Sequence, residues 1–402
     1  MKYHNRNASS GPLFLPKQIM KTKNFLLLFL SIFLTLILLE IFLIFSKSYN
    51  HVVTNNLIRS NTIWTNQENS QIFYMHPDLN YPVQNNYRKF GVKANFKIDK
   101  DFSYWGFFGD SMTDNRRIDY EYNFSSFFNE IYSNDISLNF GVDGFGLDQS
   151  YFRYLNVKDH FKLSKIFYVF VPNDFPNILQ TELFRLDDKE ELVEFKHERN
   201  LKNNFFFILG KLRLTYLTLS FYHKIIAKNS DLNYLKERII EEYVIDEKKY
   251  YESWKPRFFS INDSIIWNDF LSLSPTKPTV QAKKVFNLVL AKWLDITKSQ
   301  GHEFYIILLP NTEIFFEKLI DNKDTYNVIN FKERFSNMNY TLEEGHWNEV
   351  GNLTGALDLA DYFKINYSNS FVEGKLEKIK KLYKYNKCEA KLYKTNTIRK
   401  CD

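Results

Sequence analysis

The sequence predicts an α/β domain built on a parallel sheet and preceded by one transmembrane helix. Three observations point there. Apolar strand-like runs alternate with amphipathic helix-like segments between about residues 101 and 365, which is the rhythm of repeated βαβ units. Six residues, Gly109-Asp110-Ser111-Met112-Thr113-Asp114, join the first of those runs to a helix-like segment. The 21 residues from Phe25 to Phe45 are apolar apart from Ser31, Thr35 and Glu40. At 1.5 Å per residue they span a hydrocarbon core of about 30 Å.

Taken in order, residues 1–23 are polar and basic, with Lys2, Arg6, Lys17, Lys21 and Lys23 and no acidic side chain. This flank predicts a cytoplasmic N-terminus, with the rest of the chain carried across the membrane to a periplasmic or extracellular location. Residues 24–46 are long for a signal peptide and read as an uncleaved signal anchor. Residues 47–100, rich in Asn and Tyr without clear periodicity, read as a juxtamembrane connector that packs partly on the body. The body, 101–365, opens with a strand to Phe108 and a helix from about Asp119 to Tyr132. A second strand, Ile136 to Phe140, precedes a helix capped near Asp148; Ile166 to Val171 is a third strand. Val280 to Lys298 is an amphipathic helix stopped by Gly301, and Phe304 to Leu309 is a fourth strand ended by Pro310. A last helix covers Leu353 to Phe363.

Residues 175–279 break the rhythm and read as an insertion. Its most apolar part, residues 204–226, carries Lys211 and Arg213 near the centre, which argues against a second span. An interfacial helix, a lid over the site and a plain packing helix all remain open. Residues 366–402 form a basic tail. From Ile365 onward there are ten Lys or Arg against four Asp or Glu, which equals the whole chain's net charge of +6. The body is therefore neutral, and nucleic-acid binding has no electrostatic support. The default reading of the tail is solvated charge, dispensable for turnover; attraction to anionic lipid or an acidic polysaccharide is the sharper one. Both cysteines, Cys388 and Cys401, fall in the tail, where a disulfide loop and two unpaired thiols are both open. No Cys or His cluster has metal-ligand spacing, and no cofactor is expected.

The chemistry concentrates at strand ends. Ser111 stands at a strand-to-helix junction, where α/β proteins bind ligands, and is a candidate nucleophile. Asn139-Phe140-Gly141-Val142-Asp143-Gly144 can present a glycine amide to an oxyanion, and the Asn173 side chain, after the third strand, can do the same. Glu343-Glu344-Gly345-His346-Trp347-Asn348 supplies a base with carboxylates two and three residues before it. Each has a bland alternative: Ser111 and Asp114 as helix caps, Gly144 in a turn, Asn173 in an Asx-turn before Pro176, and His346 packed beside Trp347.

In order and spacing these four stretches resemble the conserved blocks of the SGNH (GDSL-type) hydrolase superfamily, over roughly residues 100 to 365. The resemblance implies a three-layer α/β/α fold. It also implies Ser111 as nucleophile, His346 as general base, and the Ser111 and Gly144 amides with the Asn173 side chain as oxyanion hole. The family places an aspartate three residues before the histidine, or two before in His-Trp-Asn branches. Here both positions are glutamate, so either Glu343 or Glu344 orients His346. Val171 stands where the family has glycine, and Met112 where it has leucine. The implied activity is a membrane-anchored serine esterase acting on O-acetyl or other O-acyl groups, with an ester or O-acylated carbohydrate as partner. An O-acyltransferase modifying a cell-envelope glycan and a catalytically silent glycan-binding or assembly module are the alternatives. Oligomeric state is not legible.

Overall fold

The computed structural model describes residues 17–45, 57–59, 64–66, 68–79, 81–99, 102–181, 183–194, 261–335, 338–342 and 345–395. The first helix, α1 (Lys17–Phe45), and the body that begins at His51 belong to different compact units. Side chains of α1 are described without a break from residue 27 to 42, and Leu27, Phe29, Phe33 and Phe42 are exposed. Among the described residues, no helix is long and apolar enough to cross a membrane.

The body is organised on five parallel strands: β5 (Tyr104–Gly109), β6 (Ile136–Asn139), β7 (Leu163–Phe170), β10 (Glu303–Leu308) and β11 (Asn327–Asn330). Their spatial order is β11-β10-β7-β5-β6. Before them come two hairpins, β1 (Leu57–Arg59) with β2 (Trp64–Asn66), and β3 (Ser70–Met75) with β4 (Pro82–Tyr87). A short turn of helix, α2 (Ser111–Asp114), and α3 (Phe124–Ile131) connect β5 to β6. The return to β7, on the other side of β5, runs through α4 (Leu147–Val157). Crossovers in parallel sheets are right-handed, so connections heading in opposite directions lie on opposite faces. Accordingly α3 packs with α9 (Glu349–Tyr362) on one face. The other face carries α4, α5 (Asp174–Thr181) and the long α7 (Lys277–Ser299). The winding direction reverses between β5 and β7, and the loops leaving those two adjacent strands hold Ser111 and Asn173.

Aromatic side chains form much of the core on both faces. Phe107 and Tyr305 both pair in register with Phe167, and the three rings stack at 4.5 and 5.1 Å. One position along, Phe108 turns to the other face and meets Tyr154 and Trp293 edge-on. This is the period-2 alternation of a strand covered on both sides.

Three regions carry detail that the sequence reading lacks. The connector holds the β3–β4 hairpin and a fully buried lysine, Lys93, whose N–H donates to Asn139 O at 3.0 Å beside β6. Within the insertion, β8 (Phe184–Leu186), β9 (Leu192–Glu194) and α6 (Ile261–Leu271) are described, whereas residues 204–226 lie outside the described residues. After α8 (Glu313–Leu319) and β11, the lysine-rich tail continues as α10 (Asn369–Thr395). It is docked on the body rather than merely solvated: Ile379 is buried, and Lys375 and Lys378 pair with Glu130 and Glu121. Cys388 falls in α10, and Cys401 lies outside the described residues.

Candidate active site

Ser111 owes its position to a crowded turn. Gly109 has φ +155°, and a Cβ there would overlap Thr113 Oγ1 and stand 2.9 Å from Val169 O, so only glycine lets α2 fold this tightly against β7. Gly141 is equally constrained, since a Cβ would overlap the Asp114 amide. Asp110 caps the turn, its Oδ1 accepting the Met112 N–H at 2.8 Å. The first residue of the turn is then Ser111, 9% exposed, with a backbone N–H that has no intrahelical partner by position.

His346 Nε2 lies 2.8 Å from Ser111 Oγ, across 235 residues of sequence. Its loop is fixed on both sides. Trp347 is buried and stacks on Phe331, and its carbonyl accepts from Asn115 Nδ2 at 2.9 Å. Leu342 N–H donates to His346 O at 2.7 Å, and Asn348 caps α9 by accepting from Gly351 N–H. Glu343 and Glu344, the expected partners of the imidazole, lie outside the described residues.

Asn173 follows β7, in a turn tied down on both flanks. Asp174 Oδ2 accepts from Tyr168 OH at 2.6 Å and from Val171 N–H at 3.0 Å, and Trp267 Nε1 of α6 donates to Pro172 O at 2.8 Å. Burial, reinforced by the nearby Asp110 charge, pushes the Asp174 carboxyl well above the usual carboxylate range. The Asn173 amide donates one hydrogen to Asp110 Oδ2 at 3.1 Å. An amide has two such hydrogens, and this bond occupies one of them. Asp110 Oδ2 also lies 3.3 Å from Ser111 Oγ. Burial raises the Asp110 carboxyl, while the Met112 amide, Asn173 and His346 pull the other way.

Gly144 is exposed at φ +79°, with open space where a Cβ would lie. Its neighbours bring it to the serine turn. Val142 N–H donates to Gly109 O at 3.1 Å, and Asp143 lies 3.7 and 3.6 Å from the guanidiniums of Arg116 and Arg117. Burial raises the Asp143 carboxyl, but Arg117 and then Arg116 outweigh it, and the group sits below the usual range. Ser111, His346 and Asn173 thus share one hydrogen-bonded cluster through Asp110, with the Gly144 loop against it. Among the described residues, no group of three or more His, Cys, Asp or Glu side chains is arranged to hold a metal ion.

Sequence reasoning missed the parts that hold this cluster. Asp110 lies inside the motif, yet its bond to Asn173 needs two distant turns to meet. Nothing in the sequence links Asp143 to Arg116 and Arg117. Lys93 gives no sequence signal at all.

One solved structure similar to the chain is that of a member of the lipolytic protein G-D-S-L family from Veillonella parvula, 12% identical, with a TM-score of 0.29, covering 65% of this chain and 98% of that one. No family model matches the chain. No curated protein matches it either.

Proposed function

We propose that this protein is a serine esterase of the SGNH type, acting on O-acyl esters. The observation that carries the reading is the 2.8 Å contact between Ser111 Oγ and His346 Nε2 where the sheet reverses direction, beside an Asn173 amide aimed by Asp110. His346 accepts the Ser111 proton as the oxygen attacks the ester carbonyl. Charge on the carbonyl oxygen is taken up by the Ser111 and Gly144 amides and the second Asn173 N–H. The C–O bond to the leaving alcohol breaks as His346 returns the proton, and water resolves the acyl-enzyme by the same route in reverse. Glu344 or Glu343 holds the imidazole tautomer and its charged form.

The reading includes a membrane anchor. The apolar run Phe25 to Phe45 and its basic flank support a single span with the catalytic body outside the cytoplasm. O-acylated envelope carbohydrates are the substrate class within reach of such an enzyme. The test is p-nitrophenyl acetate hydrolysis by the full chain in detergent. Ser111→Ala is expected to lower kcat by at least about a thousandfold, the scale seen when a triad serine is removed. A Ser111→Ala variant retaining near wild-type turnover overturns the reading.

A further inference from the structure

Lys93 has no exposed surface, and its side-chain amine donates into the serine turn. Nζ donates to Asp114 O at 2.7 Å and to Asn115 O at 2.8 Å. Those carbonyls end α2, the single turn that begins with Ser111. So short a helix leaves its last carbonyls without internal partners, and here one lysine supplies two. The third, Thr113 O, is taken by Asn139 Nδ2 at 2.5 Å, from the residue whose backbone carbonyl binds the Lys93 N–H.

The clamp reaches the other half of the site as well. Asn115 adopts left-handed backbone angles, φ 38° and ψ 57°, and in that pose its side chain donates to Trp347 O, one residue beyond His346. A residue that holds the Asn115 carbonyl therefore helps set the serine turn and the histidine loop against each other. Asp114, whose carbonyl is the other ligand, has its carboxylate saturated by Tyr87 OH at 2.7 Å and by Arg116 at 2.7 and 3.0 Å.

Burying an amine this completely is costly, and an apolar side chain of similar volume often fills such a position at no loss of stability. Burial brings the Lys93 amine down to about 7, with Asp114 and Asp119 favouring its charge and Arg116 and Arg117 opposing it. Packing alone does not explain a lysine here, whereas the need for two donors at the end of a one-turn helix does. We infer that Lys93 is a positioning residue for Ser111, clamping the end of α2 so that the Ser111 hydroxyl and the His346 loop keep their alignment. The inference rests on the reading of Ser111 as nucleophile.

The experiment uses the full chain in detergent and a fluorophosphonate probe. Wild-type Ser111 is expected to label. Lys93→Met, shown folded by circular dichroism, is expected to label at least tenfold more slowly and to hydrolyse p-nitrophenyl acetate with kcat lowered about tenfold and KM within twofold. Lys283→Met, which removes a surface lysine paired with Asp321, should match wild type. Folded Lys93→Met labelling at the wild-type rate overturns the inference while leaving the esterase reading intact. A folded wild type that does not label overturns the esterase reading, and the inference falls with it. Should Lys93→Met not fold, Lys93→Gln, which keeps a donor for one carbonyl, takes its place with the same two outcomes.

Discussion

Ser111 has one hydroxyl hydrogen and two acceptors, His346 Nε2 at 2.8 Å and Asp110 Oδ2 at 3.3 Å. In the proposed mechanism the shorter contact is the one that primes attack, while Asp110 Oδ2 also holds the Asn173 amide. Lys93, beneath the same turn, gives a pH signature. Its amine titrates at about 7 in the folded protein and near 10.5 in the unfolded chain. Between those values the unfolded chain holds a proton that the folded protein has lost, so stability rises with pH, by up to about 1.4 kcal/mol per unit. Below about 7 both states are protonated, and the full penalty of burying the charge applies. Urea unfolding at pH 7 and pH 9 should therefore shift the stability difference between wild type and Lys93→Met in favour of wild type at the higher pH. Parallel behaviour of the two proteins would show that Lys93 titrates normally. At this scale the proposed reacting groups could be picked out in the sequence because their chemistry demands particular residue types beside strand ends. The groups that hold them were not, since a buried lysine or a carboxylate aimed at an amide leaves no local pattern.

The element least expected from the sequence is α10. Val372, Leu376, Ile379 and Tyr383 recur at spacings of four, three and four, which is an amphipathic stripe. The density of lysine around it hid that signal. On the body the stripe packs with Ile379 3% exposed, and Tyr383 OH donates to Glu349 Oε2 at 2.8 Å. Glu349 Oε1 meets His76 Nε2 at 3.1 Å, and His76 Nδ1 accepts from the Asp78 and Leu79 amides, so Nε2 carries the proton. Three residues after His346, α9 is thus gripped by the β3–β4 turn and by α10 together. Ile379→Ala should destabilise the protein by about 2–4 kcal/mol, as other buried truncations of this size do, measured by urea unfolding. A cost below about 0.5 kcal/mol would mean that α10 is not docked in solution. Deleting the segment from Asn369 onward should likewise lower the unfolding midpoint. The central strands and the long helix α7 followed from hydrophobic period. Strand β11 did not, because Asn327-Val328-Ile329-Asn330 has two apolar residues and asparagine at both ends, too little to separate it from loop.

Across the whole molecule, charge and hydrophobicity are unevenly distributed. The formal excess of +6 sits after residue 364, and part of it is turned onto body carboxylates through Lys375 and Lys378. At the other end, the apolar run in α1 supports the proposed anchor. Full-length protein is expected to stay in the membrane fraction after carbonate extraction, and a chain lacking residues 1–50 to be released from it. Release of the full-length chain would remove the anchor from the account. The parallel α/β class was legible from alternation alone, since each crossover needs a strand and a helix of ordinary length. What alternation cannot convey is how residues 70–95 join the body, because their contribution is made by single buried side chains, His76, Tyr87 and Lys93, rather than by any period. The measurement that bears most directly on the central claim is peptide mass mapping of the full chain after fluorophosphonate treatment, with His346→Ala alongside. The account predicts one adduct, on Ser111, that is strongly reduced in His346→Ala. A folded protein without an adduct, or with the adduct on another serine, would contradict it.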